Sequence, residues 1–365
     1  MADLRTVIIA EAGVNHNGDL QTALQLVDAA AEAGADMVKF QTFKAEKLAA
    51  KGALKADYQK RATNTEETQL EMLSRLQLSE EAHSVLTTRC AEKGITFLST
   101  AGESDSLRFL TEDLKLPLIK LGSGEVTNAP LLLAAARSDA RLILSTGMAT
   151  LSEIETALGV LAFGMLNADN RGAGRNAFAA ALLEPKIFDQ LRTRVSLMQC
   201  TTEYPSLAED SNLRVMETLR GAFGLEVGYS DHTEGNAVSI AAVARGATMI
   251  EKHFTLDRTM SGPDHAASIE PRALRDLVSS IRQVEQALGT GIKRPSLPEQ
   301  CNRSVVRRSV VAVRALPINH VLTAKDMTVK RPGNGIAPVD LWDCVGRRLL
   351  NRMEPDQTIN QGDLA

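Results

Sequence analysis

Along roughly the first 290 residues, short apolar or β-branched runs alternate with amphipathic segments that stop at Gly-Ala or Gly-X. The runs fall at 6–10, 37–41, 95–99, 118–121, 142–145, 195–199, 226–229 and 248–253. Between them lie helix-period stretches such as LQTALQLVDAAAEAGA, EEAHSVLTTRCAEKG and NAVSIAAVARGA. Near-continuous apolar strands separated by helices predict a parallel sheet covered on both faces. Eight such units predict an α/β chain with a closed (β/α)8 TIM barrel over residues 1–288. A doubly wound open sheet is the alternative, but EAGVNHNG follows the first run where that fold would carry GxGxxG.

Two stretches interrupt the alternation. Residues 45–77, long and polar after the second run, predict a helical excursion over the barrel mouth. Residues 167–189 are an extra piece before the sixth run, of a kind that serves as lid, oligomer contact or neutral decoration. Gly, Pro and polar residues in GTGIKRPSLPEQ then predict a linker over 289–303. Beyond it SVVAVRAL, MTVKRPGNG and TINQGDL predict a small β-rich domain over 304–365.

Composition narrows the class. The 365 residues are 44% hydrophobic and 24% charged, the proportions of a globular protein with a sizeable core. A formal net charge of −4 argues against a nucleic-acid partner. Cys90, Cys200, Cys301 and Cys344 lie far apart with no CxxC pair, so reduced thiols in a cytoplasmic protein are expected. No apolar run approaches the length of a membrane span, so no membrane partner is expected.

The informative polar residues fall at strand ends, where (β/α)8 barrels carry their chemistry. The runs end in Glu11; Lys39 and Gln41; Ser99 and Thr100; Lys120, Ser123 and Glu125; Ser145; Thr202 and Tyr204; Ser230 and His232; Glu251 and His253. An apolar core would choose almost none of these. His232 and His253 end sequential strands, so their imidazoles can share a metal; two histidines alone leave manganese, magnesium, iron and zinc open. Lys39 and Lys120 each interrupt an apolar strand, and an unpaired buried ammonium is costly. They serve as ion-pair partners of Glu11, Glu125 or Glu251, as grips for a doubly anionic substrate beside the hydroxyls of Thr100, Ser123, Ser145 and Ser230, or as Schiff-base lysines. Glu11, Glu125 and Asp264 are candidate acid/base or hydroxyl-binding groups.

EAGVNHNGDL, VKFQTF, IKLGSGE, LSTGM, QCTTEYP, GYSDHTEG, EKHFTLD, GPDH and KRPGNG, in this order over almost the whole chain, resemble the sialic acid synthase family. That resemblance implies a barrel followed by an antifreeze-like (SAF) domain, in a domain-swapped homodimer. It implies condensation of phosphoenolpyruvate with N-acetylmannosamine or a related N-acetylated hexose, giving N-acetylneuraminate or legionaminate with phosphate release. The implied metal is manganese on His232 and His253. The implied phosphoenolpyruvate site is Lys39, Thr100, Lys120, Ser123, Ser145, Thr202 and Ser230; the sugar site is Glu11, Gln41, Tyr204, Asp264 and Arg331 of a partner's small domain. Thr202 stands where some members have asparagine, and Arg307 where some carry an aromatic residue; both departures bear on the sugar. A Schiff-base pyruvate aldolase or lyase and a non-catalytic polysaccharide-assembly protein are the competing readings.

Overall fold

The computed structural model describes residues 5–63 and 66–365. They divide into two compact units, Met1–Gly289 and Thr290–Ala365. No helix among the described residues is long and apolar enough to cross a membrane.

The first unit is a closed parallel barrel of β1 (Val7–Gly13), β2 (Met37–Thr42), β3 (Thr96–Ala101), β4 (Leu118–Leu121), β5 (Arg141–Ser145), β6 (Val195–Cys200), β7 (Glu226–Asp231) and β8 (Met249–His253). The expected runs recur with no end shifted by more than three residues, and β4 matches its run at both ends. Each crossover helix starts and stops where its sequence dictates. In the helix Leu20–Ala33 the Asp19 side chain accepts from Thr22 N, and Gly34 closes the last turn at φ 84°. Ala23, Leu26, Val27, Ala30 and Ala33 recur at helical spacing and bury one stripe against the barrel.

Side chains in a strand alternate between faces, and this splits the barrel into two chemically distinct layers. Outward positions such as Ile8, Val38, Phe97, Ile119 and Val227 join the helices in the main core. Inward positions form a small apolar floor of Ile9, Leu98, Ile143, Met198 and Met249. Gly228 is needed here, because a Cβ at that position would lie 2.1 Å from Met249 Cγ. Two residues further along each strand the inward positions turn polar. Glu11 follows Ile9, Lys39 follows Met37, Lys120 follows Leu118 and Glu251 follows Met249.

The excursion after β2 is helical as expected, with short helices Ala45–Leu48, Asp57–Thr63 and Gln69–Leu76; residues 64–65 lie outside the described residues. The extra piece at 167–189 forms the helix Arg175–Ala181 and begins Ile187–Arg194. It lies between a helix and the next strand, at the end of the barrel opposite the catalytic mouth. Phe178 packs edge-on against Phe163 at 5.4 Å, so this segment is no lid.

In the second unit the helix Leu297–Val306, capped by Ser296, occupies part of the stretch expected as linker. An antiparallel pair follows, β9 (Ser309–Ala312) with β10 (Met327–Lys330). Val310, Leu316, Leu322, Ile336, Leu349 and Met353 form its small core. Asp326 accepts hydrogen bonds from Arg314, His320 and Thr323, which ties two turns of this unit together.

Candidate active site

Strand register assembles the site. Glu11 on β1 is paired with Lys39 on one side and His253 on the other. Gln41 pairs with Thr100, Thr100 with Lys120, and Ser230 with Glu251. The inward side chains line a cavity of about 190 Å³ at the C-terminal mouth. Glu11, Lys39, Gln41, Thr100, Lys120, Ser123, Ser145, Tyr204, Ser230, His232 and His253 all face it, with Cys200 and Glu251.

A charged cluster forms its base. Lys39 Nζ lies 3.2 Å from Glu11 Oε2 and 3.1 Å from Glu251 Oε2. Lys120 Nζ lies 2.8 Å from the same Glu251 oxygen. Ser230 Oγ donates to Glu251 Oε1 at 2.7 Å, and Lys39 Nζ donates to Thr100 Oγ1 at 3.1 Å. Both lysines are therefore paired in the ligand-free protein, so the ion-pair role weighed for them is real. It does not remove the anion-binding role, because the cluster holds two ammonium groups at one cavity wall.

The carboxylates divide by environment. Burial pushes the Glu11 carboxyl up to about 7, against the pull of Lys39. Burial also disfavours the Glu251 charge, but Lys120 and Lys39 hold that carboxyl well below the usual range. Lys39 is raised because Glu11 and Glu251 outweigh its burial. Lys120 is lowered by burial, opposed by Glu251. The ionised Glu251 at 2.8 Å favours the ammonium form of Lys120 against that burial.

The imidazoles sit at the opposite wall, ring centroids 5.4 Å apart. His232 Nδ1 lies 2.8 Å from the Thr201 carbonyl, so it carries the proton and leaves Nε2 as a lone-pair donor. Burial lowers His232 to about 4 and pushes His253, further opposed by His232, well below its ordinary value. Both rings are neutral at pH 7. His253 Nδ1 is buried without a hydrogen-bond partner, and Asp264 Oδ2 lies 4.0 Å from it. With a neutral ring this contact is no ion pair. Ser230 Oγ lies 3.3 Å from His232 Nε2 but gives its proton to Glu251 Oε1, so both neutral imidazoles keep a lone pair that would suit a borderline divalent metal. Among the described residues no group of three or more His, Cys, Asp or Glu side chains is clustered for a metal, so the protein donors amount to this pair.

Four expected residues stand apart from the cavity wall. Glu125 lies in the turn Ser123–Thr127, where its carboxylate accepts from Asn128 Nδ2 at 2.6 Å. Asp264 is buried beside His253, and burial raises it to about 6. Thr202 lies close against Gly147, where an added Cβ would come within 2.9 Å of its methyl. Arg331 is an exposed residue of the second unit. Three others join the expected set. Glu251, weighed from the sequence only as an ion-pair partner of the lysines, is the hub of the charged cluster. Cys200 Sγ lies 3.2 Å from Ser123 Oγ. Tyr58, from the excursion after β2, packs its ring 4.7 Å from Tyr204, which in turn lies 4.1 Å from His232. The position of Glu251 two residues before His253 was a signal available in the sequence; Tyr58 offered none.

Fold and site together define a (β/α)8-barrel protein whose mouth pairs three buried lysine–carboxylate contacts with two neutral histidines. The chain belongs to the NeuB family, whose family model matches residues 26–293; a SAF domain model matches 307–365. It is 44% identical over 98% of its length to the N,N'-diacetyllegionaminic acid synthase of Campylobacter jejuni, covering 99% of that protein. With the N,N'-diacetyllegionaminic acid synthase of Legionella pneumophila it shares 43% identity over 96% of this chain and 92% of that one. The crystal structure of N-acetylneuraminic acid (sialic acid) synthetase from Leptospira borgpetersenii superposes with TM-score 0.66 at 32% identity, over 82% of this chain and 90% of that one.

Proposed function

We propose that the protein condenses phosphoenolpyruvate with 2,4-diacetamido-2,4,6-trideoxymannose to give N,N'-diacetyllegionaminate and phosphate. The single observation that carries the reaction class is the shared cavity, with Lys39 and Lys120 at one wall and His232 and His253 at the other. The choice of sugar is favoured by the two legionaminic acid synthases that this chain resembles.

The residues support a stepwise chemistry. Lys39 and Lys120 neutralise the phosphate and carboxylate of phosphoenolpyruvate, and the hydroxyls of Thr100, Ser123, Ser145 and Ser230 donate to their oxygens. His232 and His253 hold the divalent metal, which we assign as manganese; when bound it supplies Lewis-acid polarisation of the aldehyde oxygen. C3 of phosphoenolpyruvate forms the new bond to the aldehyde carbon, whose oxygen takes up a proton. That proton comes from solvent. Water adds to the cationic C2, and the C2–O bond to phosphate breaks as the new C2 hydroxyl gives its proton to the departing phosphate and becomes a carbonyl. Ionised Glu11 stabilises the positive charge at C2 and accepts a proton from the adding water. Gln41, Tyr204 and Asp264 face the sugar. The reading includes a cytoplasmic homodimer in which Arg331 of the partner subunit holds the N-acyl end.

Phosphate release is measured with manganese and phosphoenolpyruvate against three acceptors: the diacetamido sugar, N-acetylmannosamine and its 6-phosphate. The first is expected to be turned over fastest, and His232→Ala or His253→Ala to abolish release in a folded protein. Near-native rates in both variants would reject the metal assignment. Activity in EDTA together with borohydride trapping of pyruvate on a lysine would replace the whole reading by a Schiff-base aldolase. Against that outcome stands the Glu251 contact, which favours the charged form of Lys120.

A further inference from the structure

Behind the cavity wall, on the outward face of the same two strands, lies a second buried ion pair. Asp231 and Lys252 are each 1% exposed. They are register partners across β7 and β8, and Lys252 Nζ lies 3.0 Å from Asp231 Oδ2. Each immediately precedes one of the two imidazoles: Asp231 precedes His232 and Lys252 precedes His253. Side-chain alternation therefore sends the ion pair into the helix layer while the histidines face the cavity.

The connections continue around His232. Asp231 Oδ1 accepts from Thr233 N at 2.9 Å and Thr233 Oγ1 at 2.7 Å. Ser239 Oγ, from the helix Ala237–Ala244, donates to Asp231 Oδ2 at 2.5 Å. Lys252 Nζ also donates to the Thr233 carbonyl at 2.5 Å. Both residues flanking His232 are thus tied to the residue that precedes His253.

Packing alone does not call for these groups. The strand neighbours Tyr229 and Ile250 belong to the apolar main core. Removing a carboxylate and an ammonium from water costs several kcal/mol per ion, and an apolar pair of similar volume usually holds such a layer as well or better. What the charged pair adds is direction. It resists both sliding of β8 against β7 and rotation of the turn at 231–233, the two movements that would change the distance between the imidazoles.

We infer that Asp231 and Lys252 are positioning residues that set the spacing of His232 and His253 for one shared metal. This rests on the reading of those histidines as the metal holders. The pair touches no substrate and acts only through the two rings.

The test is the double variant Asp231→Asn/Lys252→Met, which keeps an acceptor for Thr233 N while removing both charges. Mn(II) affinity is read by electron paramagnetic resonance of the free ion, and phosphoenolpyruvate affinity by calorimetry without metal. The expected result is a folded protein whose Mn(II) Kd rises about tenfold, the low end for residues that orient metal-ligating histidines, with metal-free phosphoenolpyruvate binding unchanged. A folded variant with native Mn(II) affinity overturns the inference. So does equal weakening of both ligands, and so does failure to fold, since either makes the pair a plain stability element. Wild-type protein that took up no Mn(II) would overturn the metal reading itself, and this inference with it.

Discussion

Glu251 Oε2 lies 2.8 Å from Lys120 Nζ with both side chains almost wholly buried, and the same oxygen serves Lys39 at 3.1 Å. One carboxylate thus holds the two ammonium groups that we propose grip phosphoenolpyruvate. Its charge keeps the lysines in place before substrate arrives, and its removal would leave Glu11 as the remaining counter-ion.

Glu251→Gln should therefore destabilise the ligand-free protein by about 3–5 kcal/mol, the cost of stranding a buried charge. Phosphoenolpyruvate should restore much of that loss, because its negative groups then meet unpaired lysines. Thermal unfolding with and without phosphoenolpyruvate checks this: the ligand-induced rise in Tm is expected to be larger in the variant. An equal rise in both proteins would remove Glu251 as the placeholder for substrate charge.

Glu11→Gln keeps the contact with Gln41 but removes the titrating group. A fall in kcat of about 10²–10⁴ is expected, with a smaller change in KM for phosphoenolpyruvate. Because burial raises Glu11 to about 7 and its proposed role requires the ionised form, kcat/KM of the native protein should rise with pH through about 7. In the variant that rise should vanish. A pH profile unchanged by the substitution would assign the titration to another group.

His16, in the loop after β1, is buried, and burial lowers it from 6.5 to about 4. An unfolded chain binds this proton below pH 6.5 while the folded one does not, so the contribution of His16 is present above 6.5 and is lost as pH falls toward 4. The loss is about 3 kcal/mol at full extent. Glu11 and Asp264, raised to about 7 and about 6, work in the opposite sense over overlapping windows. The comparison is thus between variants: urea unfolding of His16→Gln should lose less stability between pH 7 and 4.5 than the native protein. Parallel pH curves would show that His16 is protonated in the folded state.

Much of the barrel was legible because its signal is local. Alternation of apolar strand and amphipathic helix is written into consecutive residues, and several helices carry their own start and stop signals, such as Asp19 and Gly34. The site was legible for a related reason: a polar residue that interrupts an apolar strand end has few bland explanations, and Lys39, Lys120, His232 and His253 all proved to share one cavity. Glu125 read the same way yet turned aside to Asn128, because the turn after β4 rotates it off the strand's inward face. The hub role of Glu251 was not legible, since three carboxylates were equally available to the lysines.

The chain's linear pattern determined that there are eight strand–helix units, where each begins, and which residue types end them, because hydrophobic period and capping act over a few residues. Only the folded barrel decided which of those ends meet. Closure and stagger bring Glu11 beside His253 across 242 positions, and the choice of partners sets each charge: burial raises both carboxyls, but Lys120 and Lys39 together hold Glu251 ionised, whereas the pull of Lys39 on Glu11 is too weak to stop burial raising it to about 7. Tyr58 entered the site for the same reason, carried there by a loop whose path no neighbouring residue prescribes.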